Sequence, residues 1–153
     1  MISCRVENTT QFHVSLRFIC GIIKEVAHFS KKYKRGSVFI YIVGPARSRA
    51  LNKRLRGKDE ATDVLSFENP PLLNEPEKWL GEIIFCPSVI EKQAKKRGVL
   101  PKEEFAHVAV HGALHVFGYH HETSEKKAVQ MRRYEDVILE RLGYPPAHTK
   151  TAS

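Results

Sequence analysis

Three histidines in the second half of the chain have a spacing that suits a single metal ion. His111 and His115 are four residues apart, so on a helix they lie one turn apart on the same face. Gly118 allows a turn with positive φ, and this turn can bring His121 back toward the same ion. Three imidazoles leave a fourth position for water, which is typical of catalytic rather than structural zinc sites. The pattern predicts a metal-dependent hydrolase.

The pattern H-x-x-x-H-x-x-G-x-x-H has the spacing of the metzincin peptidases but lacks their general base. In those enzymes a glutamate follows the first histidine, and here that position is Gly112. Glycine cannot accept a proton, so either the metal alone activates the water or a base comes from another segment. A peptidase or amidase would need such a carboxylate, for which Glu82 and Glu122 are the candidates.

Two further histidines leave the ligand set open. His120 can replace His121 as the third ligand, or it can close the coordination shell as a fourth. A closed shell would make the metal structural and the protein a non-catalytic RNA- or ribosome-binding module. We favour His121 because its spacing from Gly118 matches the motif. His107 lies on the same helical stripe and is predicted to support the ligands or line the pocket. Zinc suits three imidazoles, and nickel, cobalt and copper are also compatible.

Apolar patterns predict about four strands and about five helices. The run at residues 38–43 is continuously apolar and β-branched, which favours a buried strand. The predicted strands are residues 2–7, 38–43, 63–68 and part of 79–86, and the predicted helices are 14–30, 45–55, 87–97, 101–117 and 124–142. This mixture predicts an α+β fold or a mixed α/β sandwich, with one domain over residues 1–146 and a disordered tail over 147–153.

The charge balance predicts a polyanionic partner. The chain has 25 Lys and Arg residues against 17 Asp and Glu, a formal net charge of +8 in 153 residues. Such a charge favours RNA, DNA or anionic lipid without choosing among them. Three cysteines without a C-x-x-C pair indicate neither a disulfide framework nor a cysteine metal site. With no apolar stretch of membrane-spanning length and no signal-peptide pattern, we expect a cytoplasmic protein without a membrane partner.

The histidine segment resembles the YbeY family of single-domain, metal-dependent endoribonucleases. The family pattern is close to H-G-x-L-H-L-x-G-Y-D-H, and the matching residues are His111, Gly112, Leu114, His115, Gly118, Tyr119 and His121. His120 stands where the family usually has Asp. Other stretches that are similar to the family are residues 51–59, residues 62–67 (T-D-V-L-S-F), residues 80–83 (L-G-E-I for the commoner L-G-D-I), and Met131 and Glu135 of the last helix.

The resemblance implies a zincin-like helix–sheet fold of the α+β class, one zinc or similar ion per chain, and single-stranded rRNA as substrate. It also implies processing of the small-subunit rRNA 3′ end in ribosome biogenesis, and contact with the ribosome or its small-subunit proteins. Arg56, beside a predicted turn, is the first choice for binding the scissile phosphate, with His111 as the second catalytic residue. Thr62 and Ser66 are predicted to contact substrate, although these residue types also serve in caps and turns. Phosphodiester hydrolysis tolerates the missing peptidase glutamate, because phosphoryl transfer depends mainly on positioning and charge.

Overall fold

The secondary structure follows the predicted pattern closely. The structure is a computed structural model that describes residues 1–68, 79–120 and 124–148. Its strands are β1 (Ile2–Asn8), β2 (Gly36–Ile42), β3 (Val64–Glu68) and β4 (Trp79–Phe85). Its helices are α1 (Leu16–Ser30), α2 (Pro45–Arg56), α3 (Pro87–Arg97), α4 (Pro101–Val116) and α5 (Glu125–Arg141). Within the described ranges, no helix is both long enough and apolar enough to cross a lipid bilayer.

The four strands form one mixed sheet in the order β1-β2-β4-β3. β1 pairs with β2, and β2 with β4, in parallel, whereas β3 pairs with β4 in the antiparallel sense. In the antiparallel pair Val64 lies opposite Phe85, and Ser66 lies opposite Ile83. The prediction of an α+β fold with a mixed sheet is therefore confirmed.

The main hydrophobic core lies between one face of the sheet and the helices. Alternate residues of β2 point into it, and Val38, Ile40 and Ile42 are fully buried. Phe39 and Tyr41, which lie between them, are only partly buried on the other face, where a smaller apolar cluster packs. The apolar run at residues 38–43 is thus fully covered on one face of the sheet rather than on both.

Helix α4 passes through the core and fixes the position of the histidines. Eleven of its 16 residues are buried, so its orientation relative to the sheet is set by packing. The helix begins at Pro101, whose missing N–H has no cost at a first helical position. Glu103 accepts a hydrogen bond from the N–H of Leu100 at 3.0 Å. The chain leaves the helix through Gly118 at φ 91°, which confirms the predicted turn with positive φ.

The chain after α5 folds back against that helix. The backbone N–H groups of Ala147 and His148 donate to Asp136 Oδ1 at 2.8 and 3.2 Å. Both residues belong to the segment 147–153 that the sequence predicts as a disordered tail, and residues 149–153 lie outside the described ranges. The division into a domain over 1–146 and a tail stays a prediction.

Replacing Gly81 by alanine should destabilise the fold. A Cβ atom at Gly81 would overlap the carbonyl oxygen of Phe67 and lie 2.9 Å from Cγ1 of Val116. We expect Gly81→Ala to lower the free energy of unfolding by roughly 1–3 kcal/mol, measured by urea denaturation.

Gly21→Ala is the matched control for this prediction. A Cβ atom at this position of α1 meets no described atom within 4 Å. Alanine should therefore stabilise the helix by about 0.5–1 kcal/mol. Equal stabilities of the two variants would contradict the close approach of β3 and α4 to Gly81.

Candidate metal centre

Two histidines of α4 are arranged as a pair of metal ligands. Nε2 of His115 lies 3.2 Å from Nε2 of His111. Two nitrogens that each bind a tetrahedral ion at 2.0–2.1 Å are about 3.3–3.4 Å apart, so the pair fits a single ion. His115 is 8% exposed, and the side chain of His111 is 31% exposed. The pair therefore lies at the bottom of a surface opening rather than deep in the core.

Glu135 of α5 sets the orientation of His111. One of its carboxylate oxygens, Oε2, lies 2.5 Å from Nδ1 of His111. An ionised carboxylate only accepts hydrogen bonds, so the imidazole proton is on Nδ1 and the lone pair is on Nε2. A carboxylate behind a histidine in this way is the usual support of a metal ligand. The arrangement therefore prepares Nε2 of His111 to bind a cation.

The same carboxylate is shared by two more imidazoles. Oε1 of Glu135 lies 3.0 Å from Nε2 of His107 and 2.7 Å from Nε2 of His148. Burial acts to raise the pKa of the Glu135 carboxyl, but hydrogen bonds from the three histidines outweigh burial and hold that pKa well below its usual range. Glu135 is therefore charged at neutral pH.

His107 links Glu135 to a second buried carboxylate. Its Nδ1 lies 3.3 Å from Oε1 of Glu104, and Arg97 donates to the same oxygen at 2.6 Å. Burial acts to lower the pKa of His107, but the contacts with Glu104 and Glu135 outweigh it and raise the pKa to about 9. His107 is consequently a cation at neutral pH and is hydrogen-bonded through both ring nitrogens.

A second group of side chains in this network could hold a metal ion. His107, Glu135 and His148 each bring one potential ligand atom within 4.8 Å of the others. A metal ion there would have to displace the protons that the two imidazoles share with Glu135. The described residues thus contain two neighbouring sets of potential metal ligands. Glu135 supports His111 in the first set and belongs to the second.

A cleft of about 630 Å³ opens beside the histidine pair. Five residues that the sequence predicts for catalysis, substrate binding or metal binding line it, namely Arg56, Thr62, Ser66, His111 and His115. Lys58 contributes a second cation to the lining. The folded chain therefore brings together residues that are up to 59 positions apart in the sequence, from Arg56 to His115.

Three other predicted residues do not line this cleft within the described structure. His107 lines a neighbouring cavity, and its role in supporting the ligands stays a prediction. The ring of His120 lies 5.7 Å from the ring of His115 but borders a separate cavity with Tyr119. His121 lies outside the described residues. The choice of His121 over His120 as third ligand stays a prediction.

The segment between α2 and β3 is held by buried polar residues of α2. The Ser48 hydroxyl accepts from the N–H of Thr62 at 2.9 Å and donates to its carbonyl oxygen at 3.0 Å. Asn52 donates to the carbonyl oxygen of Glu60 at 2.9 Å. Since these contacts fix the segment at several points, Arg56 at its start and Thr62 near its end keep their places at the cleft.

Comparison with known proteins assigns the chain to a family. The family profile described as Endoribonuclease YbeY matches residues 4–143. The chain belongs to the YbeY family. An endoribonuclease YbeY from Burkholderia ambifaria is 39% identical over 113 residues, which cover 74% of this chain and 63% of that protein. One from Alkalilimnicola ehrlichii is 42% identical over 106 residues, which cover 68% and 63%. These matches therefore span less than two thirds of the relatives' length.

A solved structure shows the same fold over the whole chain. The solution structure of TM1509 from Thermotoga maritima matches with a TM-score of 0.58 and 25% sequence identity. The match covers 100% of this chain and 99% of that one. The architecture that positions the motifs of residues 51–135 is therefore shared with a solved structure.

Packing explains why this YbeY-family chain has no glutamate after its first motif histidine. A Cβ atom at Gly112 would lie 3.2 Å from Cγ2 of both Ile83 and Val64, so a side chain at this position would require α4 or the strands to give by a few tenths of an ångström. Side chains alternate along a strand, and with Ile83 toward α4, Glu82 faces away from the histidines. Glu82 therefore cannot act as a base there, and the other candidate, Glu122, lies outside the described residues.

The roles of Glu135 and His148 are not predicted from the sequence. Glu135 was matched only to the last helix of the family, yet it lies in a buried stripe of α5 between Met131 and Ile138. A carboxylate in an apolar stripe requires polar partners. The helical periodicity of α5 alone therefore indicates that Glu135 has such partners. His148 has no such signal, because only the return of the chain after α5 brings it to Glu135.

Glu135→Gln should weaken metal binding. The amide lacks the negative charge that holds three imidazoles, and it no longer requires the proton of His111 to be on Nδ1. We expect a zinc affinity 10–100-fold lower, measured by competition with a chromogenic chelator. Glu140→Gln, on the exposed side of the same helix, is the control and should bind zinc as the parent protein does. Equal affinities of the two variants would show that Glu135 does not orient a ligand.

The raised pKa of His107 predicts how the stability of metal-free protein depends on pH. Protonated His107 stabilises the fold fully below its ordinary pKa of 6.5, and this contribution is lost as the pH rises toward about 9. The melting temperature of chelator-treated protein should therefore fall across this interval. His107→Gln should have a flatter profile over the same interval. Parallel profiles for the two proteins would contradict the network around His107.

Proposed function

We propose that this YbeY-family chain is a metal-dependent endoribonuclease that hydrolyses phosphodiester bonds in single-stranded RNA. The main support for this proposal is the cleft, in which Arg56 and Lys58 lie together with two imidazoles whose Nε2 atoms are 3.2 Å apart. Cations suit a phosphodiester, and the imidazole pair suits a divalent ion. The name of the curated relatives, Endoribonuclease YbeY, supports the same activity.

The residues of the cleft have distinct roles in this proposal. His111, His115 and His121 hold one zinc ion, and Glu135 keeps His111 oriented toward it. The bound ion supplies Lewis-acid stabilisation of negative charge on the phosphate. Arg56 binds the scissile phosphate with its planar guanidinium and neutralises charge that develops there. Thr62 and Ser66 donate hydrogen bonds to the RNA from the cleft wall.

The substrate we propose is small-subunit rRNA, cut near its 3′ end during ribosome biogenesis in the cytoplasm. A net charge of +8 supports a polyanionic substrate. Contact with the ribosome or its small-subunit proteins would present the precursor, and residues 1–146 would form the catalytic unit. The rival without catalysis is a ribosome-binding module with a structural metal, and turnover of RNA distinguishes the two.

The first test is cleavage of a labelled single-stranded RNA by the purified protein. Cleavage should stop on chelation, return with added zinc, and be much weaker on a duplex of the same sequence. The double variant His111→Ala, His115→Ala, purified in parallel, should reduce cleavage to the level of the chelated protein. Equal cleavage by this variant and the parent protein would contradict the proposal. Metal binding by the parent protein without turnover of RNA would favour the module with a structural metal.

Arg56→Ala tests the phosphate-binding role. Loss of one group that stabilises developing charge lowers kcat by about 10²–10³-fold, and we expect a loss of that order. Arg56→Lys should recover only part of it, because an ammonium cannot form the two parallel hydrogen bonds of a guanidinium. Arg54→Ala, an exposed arginine of the same helix outside the cleft lining, is the control. Comparable activity of Arg56→Ala and Arg54→Ala would remove Arg56 from the mechanism.

A further inference from the structure

A second cavity of about 360 Å³ lies next to the cleft. Asp63, Val64 and His111 line both spaces. The two spaces are therefore adjacent and share His111 as part of their walls, so an RNA strand that extends beyond the cleft has the cavity next to it. The volume lies at the small end of the range for small-molecule sites, which suits one nucleotide rather than a longer segment.

Polar groups line part of the cavity, namely those of Asp63, Glu104, His107, Glu135 and His148. The rest of the wall is formed largely by apolar side chains from three elements. Val64 of β3, Val108 of α4 and Met131 of α5 contribute them, together with the partly exposed Ala128. Gln93 adds an amide that donates from Nε2 to Asp63 at 2.9 Å. A flat ring can make van der Waals contact with such walls while a fixed amide offers hydrogen-bonding groups at one edge. A nucleobase has both properties.

Two cations lie at the rim of this cavity. Lys96 of α3 and Arg132 of α5 are exposed and line it, and neither has a hydrogen-bond or salt-bridge partner in the described part of the chain. Arg97, in contrast, is bound to Glu104. The rim thus offers two positive charges that no described group pairs with, beside a cavity that adjoins the cleft proposed to hold a phosphodiester.

We propose that this cavity is a nucleotide subsite of the endoribonuclease. It takes the base of the residue next to the scissile phosphodiester, while Lys96 and Arg132 bind the adjoining phosphate. The inference rests on the proposed function, since it extends the path of the same RNA strand. An unpaired base is required, because a base in a duplex is stacked between its neighbours and is not free to enter the cavity.

Abasic substrates test the subsite. A single-stranded RNA with a mapped cleavage site is compared with oligonucleotides that each lack one base at successive positions around it. Removal of the base on one side of the cleaved bond should lower kcat/KM by about 5-fold or more; this is the lower end of the range for base–aromatic stacking, since the apolar walls named here are aliphatic. Removal of a base several positions away should change it by less than about 2-fold. Equal sensitivity at all positions would overturn the subsite.

A variant with a larger side chain in the cavity tests whether the base binds there. Ala128→Phe should lower cleavage of the intact substrate to the level of the abasic one, so that the difference between the two disappears. Val129→Phe adds the same ring on the same helix at a residue that is 50% exposed and outside the lining, and it should keep the difference. Circular dichroism and melting curves show that both variants fold.

The two proposals fail in different ways. If the parent protein cleaves no RNA, the proposed function fails and the subsite fails with it. If it cleaves RNA and the intact and abasic substrates react equally, only the subsite is wrong. Retention of the difference in Ala128→Phe would place the base elsewhere. The assignment is supported if the difference between the intact and abasic substrates disappears in Ala128→Phe but not in Val129→Phe. Weaker cleavage by Lys96→Gln and Arg132→Gln would support it further.

Discussion

The candidate site depends on one buried carboxylate. Glu135 comes from α5 and contacts His107 and His111 of α4 and His148 of the chain after α5. An uncompensated buried charge would be very costly, and three imidazoles remove that cost. The same contacts join three separate segments of the chain. Because one oxygen of Glu135 is committed to His111, the other ring nitrogen of that histidine is directed at His115.

Charges in the interior are paired, whereas several at the surface openings are not paired with described groups. Glu104 is 2% exposed and is compensated by Arg97 and His107. Lys96 and Arg132, by contrast, remain available at the neighbouring cavity. The excess of positive charge in the composition thus has a place in the fold. Part of it lines the openings beside the histidines, where Arg56, Lys58, Lys96 and Arg132 would meet a polyanion.

The absence of the peptidase glutamate is a consequence of packing as well as of chemistry. Gly112 allows α4 to approach β3 and β4 so closely that a side chain at this position would press on Ile83 and Val64. This close approach also brings Ser66 of β3 into the same cleft as the histidines. One residue therefore separates this site from the metzincin peptidases in two ways: it removes a base, and it places the strand wall next to the histidine pair.

The sequence by itself determined the elements and most of the residues at the cleft. Apolar periodicity, prolines at helix starts and glycines at helix ends located each strand and helix within two residues, because these signals are local. The spacing of His111 and His115 on a helix is likewise a local property. The proximity of Arg56, Thr62 and Ser66 was predicted only through the family motifs.

Only the tertiary structure decided which distant groups meet. The strand order β1-β2-β4-β3 and the half-covered second face of β2 depend on long-range pairing that periodicity does not contain. The partnership of Glu135 with His148 depends on the return of the chain after α5, and the cavity rimmed by Lys96 and Arg132 depends on how α3 and α5 pack beside α4. A pattern in the sequence records which face of an element is buried, but the partner across that face is chosen by the packing of the whole chain.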